Sequence, residues 1–190
     1  RFRKDHPNIL IQVEEQNSYE TIKRISARKV DAGIVGMKSD DENCEFKPIY
    51  QDEFVFITPN IPYYRALQQT KPDLKRLAQE PLIVRESGSA VKQNMELILA
   101  SAHIPAESLH IITTINNIEV IKRLVAQGAG TSFISKIAVD DMIKRGELLA
   151  FSLENVPHRY RDLYLVWNKK ITLPSYLREF LDCARLCKKS

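Results

Sequence analysis

Apolar residues along this chain follow two rhythms. Short apolar runs bounded by turn residues alternate with stretches in which apolar positions recur every three or four residues, the patterns of buried strands and one-sided helices. "NILIQVEEQ" (8–16) reads as a strand, and "SYETIKRISARKV" (18–30) as a helix with Ser18 as N-cap and Ile22 and Ile25 inward. "DAGIVG" (31–36) is short, apolar and glycine-bounded, which predicts a buried parallel strand of a β-α-β unit. After the polar loop 39–46, "KPIYQDEFVFITP" (47–59) is a long strand that turns from polar to apolar midway, as a strand leaving one lobe for another would. Loop signals from residue 60 precede a helical stretch, "PDLKRLAQE" (72–80), with Pro72 at an early helix position.

The remainder keeps the alternation. "PLIVRE" (81–86) is a strand, and 89–102 a helix with Val91, Met95, Ile98, Leu99 and Ala102 inward. "LHIITTI" (109–115) is a strand, and 116–128 a helix in which Asn116 and Glu119 have capping-box spacing and Gly128 fits the stop. "TSFIS" (131–135) is a strand, and a helix over 136–145 stops at Gly146. "ELLAFSL" (147–153) and "RDLYLVW" (161–167) are strands, and Pro174 opens a last helix with Leu177, Phe180, Leu181 and Ala184 inward. The class is α/β with largely parallel sheets.

Composition narrows the function. With 190 residues, 44% of them hydrophobic, the chain can bury a sizeable core, and no apolar run approaches the roughly 18 residues of a membrane span. The net charge of +4 comes from 28 basic residues spread among 24 acidic ones, a solvated surface more than a nucleic-acid face. The densest basic tract, Arg159-Tyr160-Arg161, sits beside Asp162, and Lys188-Lys189 is a tail. Cys44, Cys183 and Cys187 lack metal-ligand spacing and read as reduced thiols of a cytoplasmic protein. The chain starts at Arg1 inside what reads as a helix, so sequence upstream is expected to be missing. His6, His103, His110 and His158 are scattered, and no nucleophile-elbow, P-loop or zinc signature is present, so neither an enzyme nor a cofactor is expected. The Gly-x-Gly of "AQGAGTS" follows a helix instead of a strand, which excludes a dinucleotide fingerprint.

The stretch with the most chemistry is "RESGSAVK" (85–92), where Ser87, Gly88 and Ser89 stand at a strand-to-helix junction. Free N–H groups at a helix start favour an anion, two hydroxyls can donate to it, and Gly88 lets a ligand approach the backbone. The plainer reading is that a serine caps the helix and Gly88 allows the turn. Asn117 is left spare if Asn116 is the cap, and Thr131, beyond the close-packing Gly130, is a second candidate for a hydroxyl contact. Lys92 and Glu96 have the spacing of an exposed ion pair.

The order of signals resembles the effector-binding domain of LysR-type bacterial transcription regulators over nearly the whole chain. "RFRKDHPN" looks like that family's helix end, "KVDAGIVG" like its Leu-Asp-Leu-Ala-Ile strand, and "KPIYQDEFVFITP" like its crossover strand. "RESGSAVKQNME" is similar to its Arg-Glu-x-Gly-Ser-Gly-Thr-Arg run, although Lys92 stands where the family has arginine, and "NNIEVIKRLVAQGAGTSFIS" to its helix, Gly-x-Gly and strand. The resemblance implies two Rossmann-like lobes joined by two crossover strands, a type 2 periplasmic-binding-protein-like fold, with lobe I over 1–56 plus 166–190 and lobe II over 57–165. It implies a small, anionic effector in the cleft between the lobes, with Ser87, Gly88, Ser89, Asn117 and Thr131 on lobe II's side, and no metal. DNA would be bound only through an N-terminal helix-turn-helix domain absent from this chain, and the family's first strand and first helix start would be absent too. A homodimer is implied through the helix at 18–29 with the strand at 31–36, and the helix at 117–127. That helix carries Ile118, Val120, Ile121, Leu124 and Val125, a wider apolar stripe than one face. A free-standing solute-binding protein of the same fold is the alternative.

Overall fold

The structure, a computed structural model, describes residues 2–172 and 174–186, with side chains to residue 183. Arg1, Cys187, Lys188, Lys189 and the side chain of Ala184 lie outside the described residues. The chain forms two compact units, unit 1 from residues 1–51 and 162–190 and unit 2 from 52–161. The resemblance implies boundaries later along the chain, at 56/57 and 165/166. On the long strand unit 2 opens with a charge, Asp52, which is fully enclosed.

In unit 1, α1 (Phe2–Asp5) packs against α8 (Ser175–Leu186), with Phe180 edge-on to Phe2 at 5.4 Å. Helix α2 (Ser18–Ser26) is capped by Asn17, whose side chain accepts from the Glu20 N–H at 2.9 Å; the expected cap, Ser18, instead accepts from the Gly36 N–H. Ile22 and Ile25 bury against β1 (Ala32–Val35), as their spacing predicts. A Cβ at Gly33 would sit 2.6 Å from Thr21 Cγ2 and 3.1 Å from Ile25 Cδ1, so any larger residue there would force side chains of the covering helix to shift. Strand β1 pairs antiparallel with β7 (Tyr160–Asn168), from Ala32 opposite Trp167 to Val35 opposite Tyr164. The expected parallel pairing is not formed, and residues 8–16 form no strand. Leu10 and Val13 there are 94% and 86% exposed, and without a buried face the segment has nothing to hold it in a ladder.

Unit 2 is built on the distal half of β2 (Cys44–Pro59), which pairs antiparallel with β5 (Ser132–Ser135) and with β6 (Leu148–Ser152). Its side chains alternate between two cores, as a strand covered on both faces requires. Phe54 and Phe56 enter one with Phe133, Phe151, Met95, Ile98 and Leu99; Val55 and Ile57 enter the other with Ile121, Val125, Ile134 and Met142. Each large side chain buried this way contributes about 1.5–3 kcal/mol. The expected parallel order holds for β3 (Leu82–Arg85) and β4 (Ile111–Ile115), with β5 bridged in parallel to β3 at Thr131 and Leu82. Helix α5 (Ala90–Ser101) covers the first core, and α6 (Ile118–Ala126) and α7 (Asp140–Lys144) the second. The loop expected after residue 60 contains a helix, α3 (Pro62–Gln69), and the stretch 72–80 keeps only α4 (Leu74–Leu77), capped by Asp73.

Candidate functional site

Strands β3, β4 and β5 run in one direction, and their carboxyl ends meet at one edge of unit 2, the edge where open parallel sheets expose helix starts to ligands. Arg85 ends β3 level with Ile115, the end of β4. Ser135 lies as far along β5 from Thr131 as Glu86 lies along the chain from the bridged Leu82. From this edge the chain enters α5 through Ser87–Gly88 and α6 through Asn116–Asn117.

The turn is shaped for its conformation. Gly88 has φ +83°, which a side chain would make costly. Ser89 is the α5 N-cap: its hydroxyl accepts from the Val91 N–H at 3.2 Å, its own N–H donates to the Glu86 carbonyl, and it is buried. Ser87 is exposed and Gly88 half-buried, so the open face of the turn belongs to these two. Lys92 pairs with Glu96 at 3.4 Å, a surface ion pair as its spacing predicts.

Asn117, expected to be spare, is the cap of α6. Its side chain accepts from the Val120 N–H at 3.0 Å, and the exposed Asn116 is the residue left over. The expected capping box therefore does not form, since the helix starts one residue later than its spacing implies. Thr131 is not brought to this edge. It lies beside Leu82, three residues or roughly 10 Å of strand from Arg85. It is fully buried, and its hydroxyl donates to the Pro81 carbonyl at 2.8 Å.

A charged cluster stands at the same edge, unmarked by any motif. Asp52 accepts from the Ser135 hydroxyl at 2.7 Å and from Arg161 Nε at 3.2 Å, and the Arg161 guanidinium lies 5.0 Å from the Phe54 ring. Arg85 grips the Glu86 carboxylate with Nε at 2.8 Å and Nη2 at 3.1 Å. The side chains of Arg85 and Arg161 are each only 10% exposed. Burial above all holds the Arg161 guanidinium below its ordinary pKa; Asp52 opposes this, and the nearby positive charge of Arg85 adds to it. In the sequence Arg161 belongs to the tract read as solvated surface; the signal was its place two residues before the apolar core of a strand, where an alternating side chain turns inward.

Two α/β units linked by long strands, with helix starts and arginines gathered at a carboxyl edge, define the ligand-binding class of periplasmic-binding-protein-like domains. The chain belongs to the LysR substrate binding domain family, whose pattern it matches over residues 1–186. It is 28% identical over 183 residues to the HTH-type transcriptional regulator YeiE of Escherichia coli (strain K12), covering 96% of this chain and 60% of that one. Its fold is similar to the effector binding domain of QuiR in complex with shikimate, with TM-score 0.81, 21% identity and coverage of 99% of this chain and 87% of that one. It is similar also to the Synechocystis PCC6803 CcmR regulatory domain in complex with 2-PG, with TM-score 0.82, 20% identity and coverage of 100% and 88%. The chain thus spans about three fifths of the length of YeiE. No described helix is long and apolar enough to cross a membrane.

Proposed function

We propose that the chain is the sensing part of a LysR-type transcription regulator, which binds a small anionic effector at the carboxyl edge of unit 2 and passes its occupancy to a DNA-binding part outside this chain. The observation that carries the reading is the convergence at that edge of two helix starts, α5 and α6, with the open Ser87–Gly88 turn. Ser87 and Gly88 make the contacts, while Ser89 and Asn117 hold the helix starts in position. Shikimate, bound by QuiR, carries a carboxylate and is in keeping with an anionic effector. The protein acts by binding, without turnover, in the cytoplasm where bacterial DNA lies. A thermal-shift screen of small anionic metabolites tests the reading. The hit should be recovered chemically unchanged, and S87A/S89A should weaken it at least tenfold; unchanged affinity in that double variant removes the turn from the site.

The regulator acts as a homodimer. Unit 1 exposes Tyr19 and Ile34 at 58% and 60%, and unit 2 exposes Val120 at 44%, on the elements expected to pair; Ile111 and Ile112, on β4 before α6, are exposed at 44% and 42% and extend the apolar face. Of the α6 stripe, Ile121 and Val125 are core, Ile118 and Leu124 pack partly against it, and Val120 is turned outward for a partner.

A further inference from the structure

Arg161 has more donors than the protein gives acceptors. Its Nε is spent on Asp52, but Nη1 is buried and, among the described residues, nothing accepts from it. The neighbouring carboxylates are committed elsewhere. Asp52 uses Oδ1 for Ser135 and Oδ2 for Arg161 Nε, and Glu86 holds both forks of Arg85. The head is also fixed in direction, by Asp52 along one edge and the Phe54 ring across its face. A purely structural ion pair tying β2 to β7 would be expected to have both ends satisfied, because a guanidinium N–H withdrawn from water without an acceptor is costly. A pre-oriented donor beside a second buried arginine suits an oxyanion.

We propose that Arg161 is an anion-binding residue of unit 2, whose Nη1 donates to an oxygen of a carboxylate, sulfate or phosphate group while Arg85 adds a second positive charge. This deepens the reading of the chain as a sensor of an anionic effector and rests on it for its purpose, but it can be tested without the effector. Inorganic phosphate is titrated at constant ionic strength into the 190-residue chain labelled with nitrogen-15 at arginine, and the side-chain N–H resonances are followed. The Arg161 and Arg85 resonances should shift saturably, and the Arg85 resonance, present in every variant, reports phosphate affinity where residue 161 is no longer arginine. R161K keeps the charge but loses the planar fork, and should weaken phosphate at least tenfold. D52N/R161Q removes both charges together, so no lone charge is left buried; it should fold, as circular dichroism would show, and lose the saturable shift. Absence of a saturable shift in the wild type, or wild-type phosphate affinity in R161K or in D52N/R161Q, overturns the assignment. A metabolite that binds wild type and these variants equally removes Arg161 and leaves the sensor reading standing. Phosphate binding at Arg161 alongside full metabolite affinity in S87A/S89A removes only the turn.

Discussion

The Glu80 carboxylate, 7% exposed, accepts from the hydroxyls of Tyr63 and Tyr64 at 2.9 Å each and meets Arg76 at 2.7 Å. It joins α3 to α4 through charge-assisted bonds in a place water barely reaches. Glu80→Gln should cost about 2 kcal/mol in urea unfolding, the size of a hydrogen bond to a charged group, because Arg76 is partly exposed and can turn to solvent. Burial first, then the hydrogen bond and charge of Glu80, push the Tyr64 phenol above its ordinary 10.0. A raised folded-state pKa means that its stabilising effect is complete below pH 10.0 and is lost above it, where the unfolded chain ionises and the folded one does not. The stability difference between wild type and Tyr64→Phe should therefore be constant up to that pH and shrink beyond it. Apolar residues such as Ile25 or Met95 were legible in the sequence because periodicity alone turns them inward. Glu80, Asp52 and Arg161 were not, since a polar residue goes inside only where partners from distant segments meet it.

At the level of elements, the strongly periodic helices were legible and their ends were less so. Asn17 and Asn117 each cap a helix from a position next to the residue that spacing favours, Ser18 or Asn116, because a cap is chosen by backbone geometry among adjacent residues of equal chemistry. Asn117→Ala should therefore cost about 1 kcal/mol in thermal or chemical unfolding and Asn116→Ala only a few tenths. The stop of α6 at Gly128 was readable: it has φ +84°, and the Gly128 and Ala129 N–H groups close on Val125 and Leu124. So was the close approach at Gly130, where a Cβ would lie 2.8 Å from Ile112 Cδ1 and 3.2 Å from the Pro81 carbonyl. Gly130→Ala should destabilise by about 1–3 kcal/mol, because backbone is among the atoms that would have to give way. Helix α3 was hidden, since Pro62, Tyr63 and Tyr64 read as a loop although Pro62 opens the helix and Tyr64 fills the core.

For the whole molecule, the alternation of strands and helices was enough to predict an α/β chain, and the order of its motifs the family. Strand direction was not legible, because a short apolar run such as 32–35 reads the same whichever way its neighbour points; β1 found β7 antiparallel. The outward side chains of β4 and α6 lead to a prediction at this scale. The chain should sediment as a dimer at micromolar concentration, and Ile111→Asp with Val120→Glu should leave a folded monomer; a wild-type monomer that persists as concentration rises would show that these faces have no partner of their own kind. Trp167, paired with Ala32 on β7, is the one tryptophan of the chain and belongs to unit 1. Its emission is thus a private witness to the melting of that unit, whereas far-ultraviolet dichroism averages the helices of both. Coincident transitions by the two signals would mean that the units live and die together, and separated ones that each keeps its own thermodynamic account of folding.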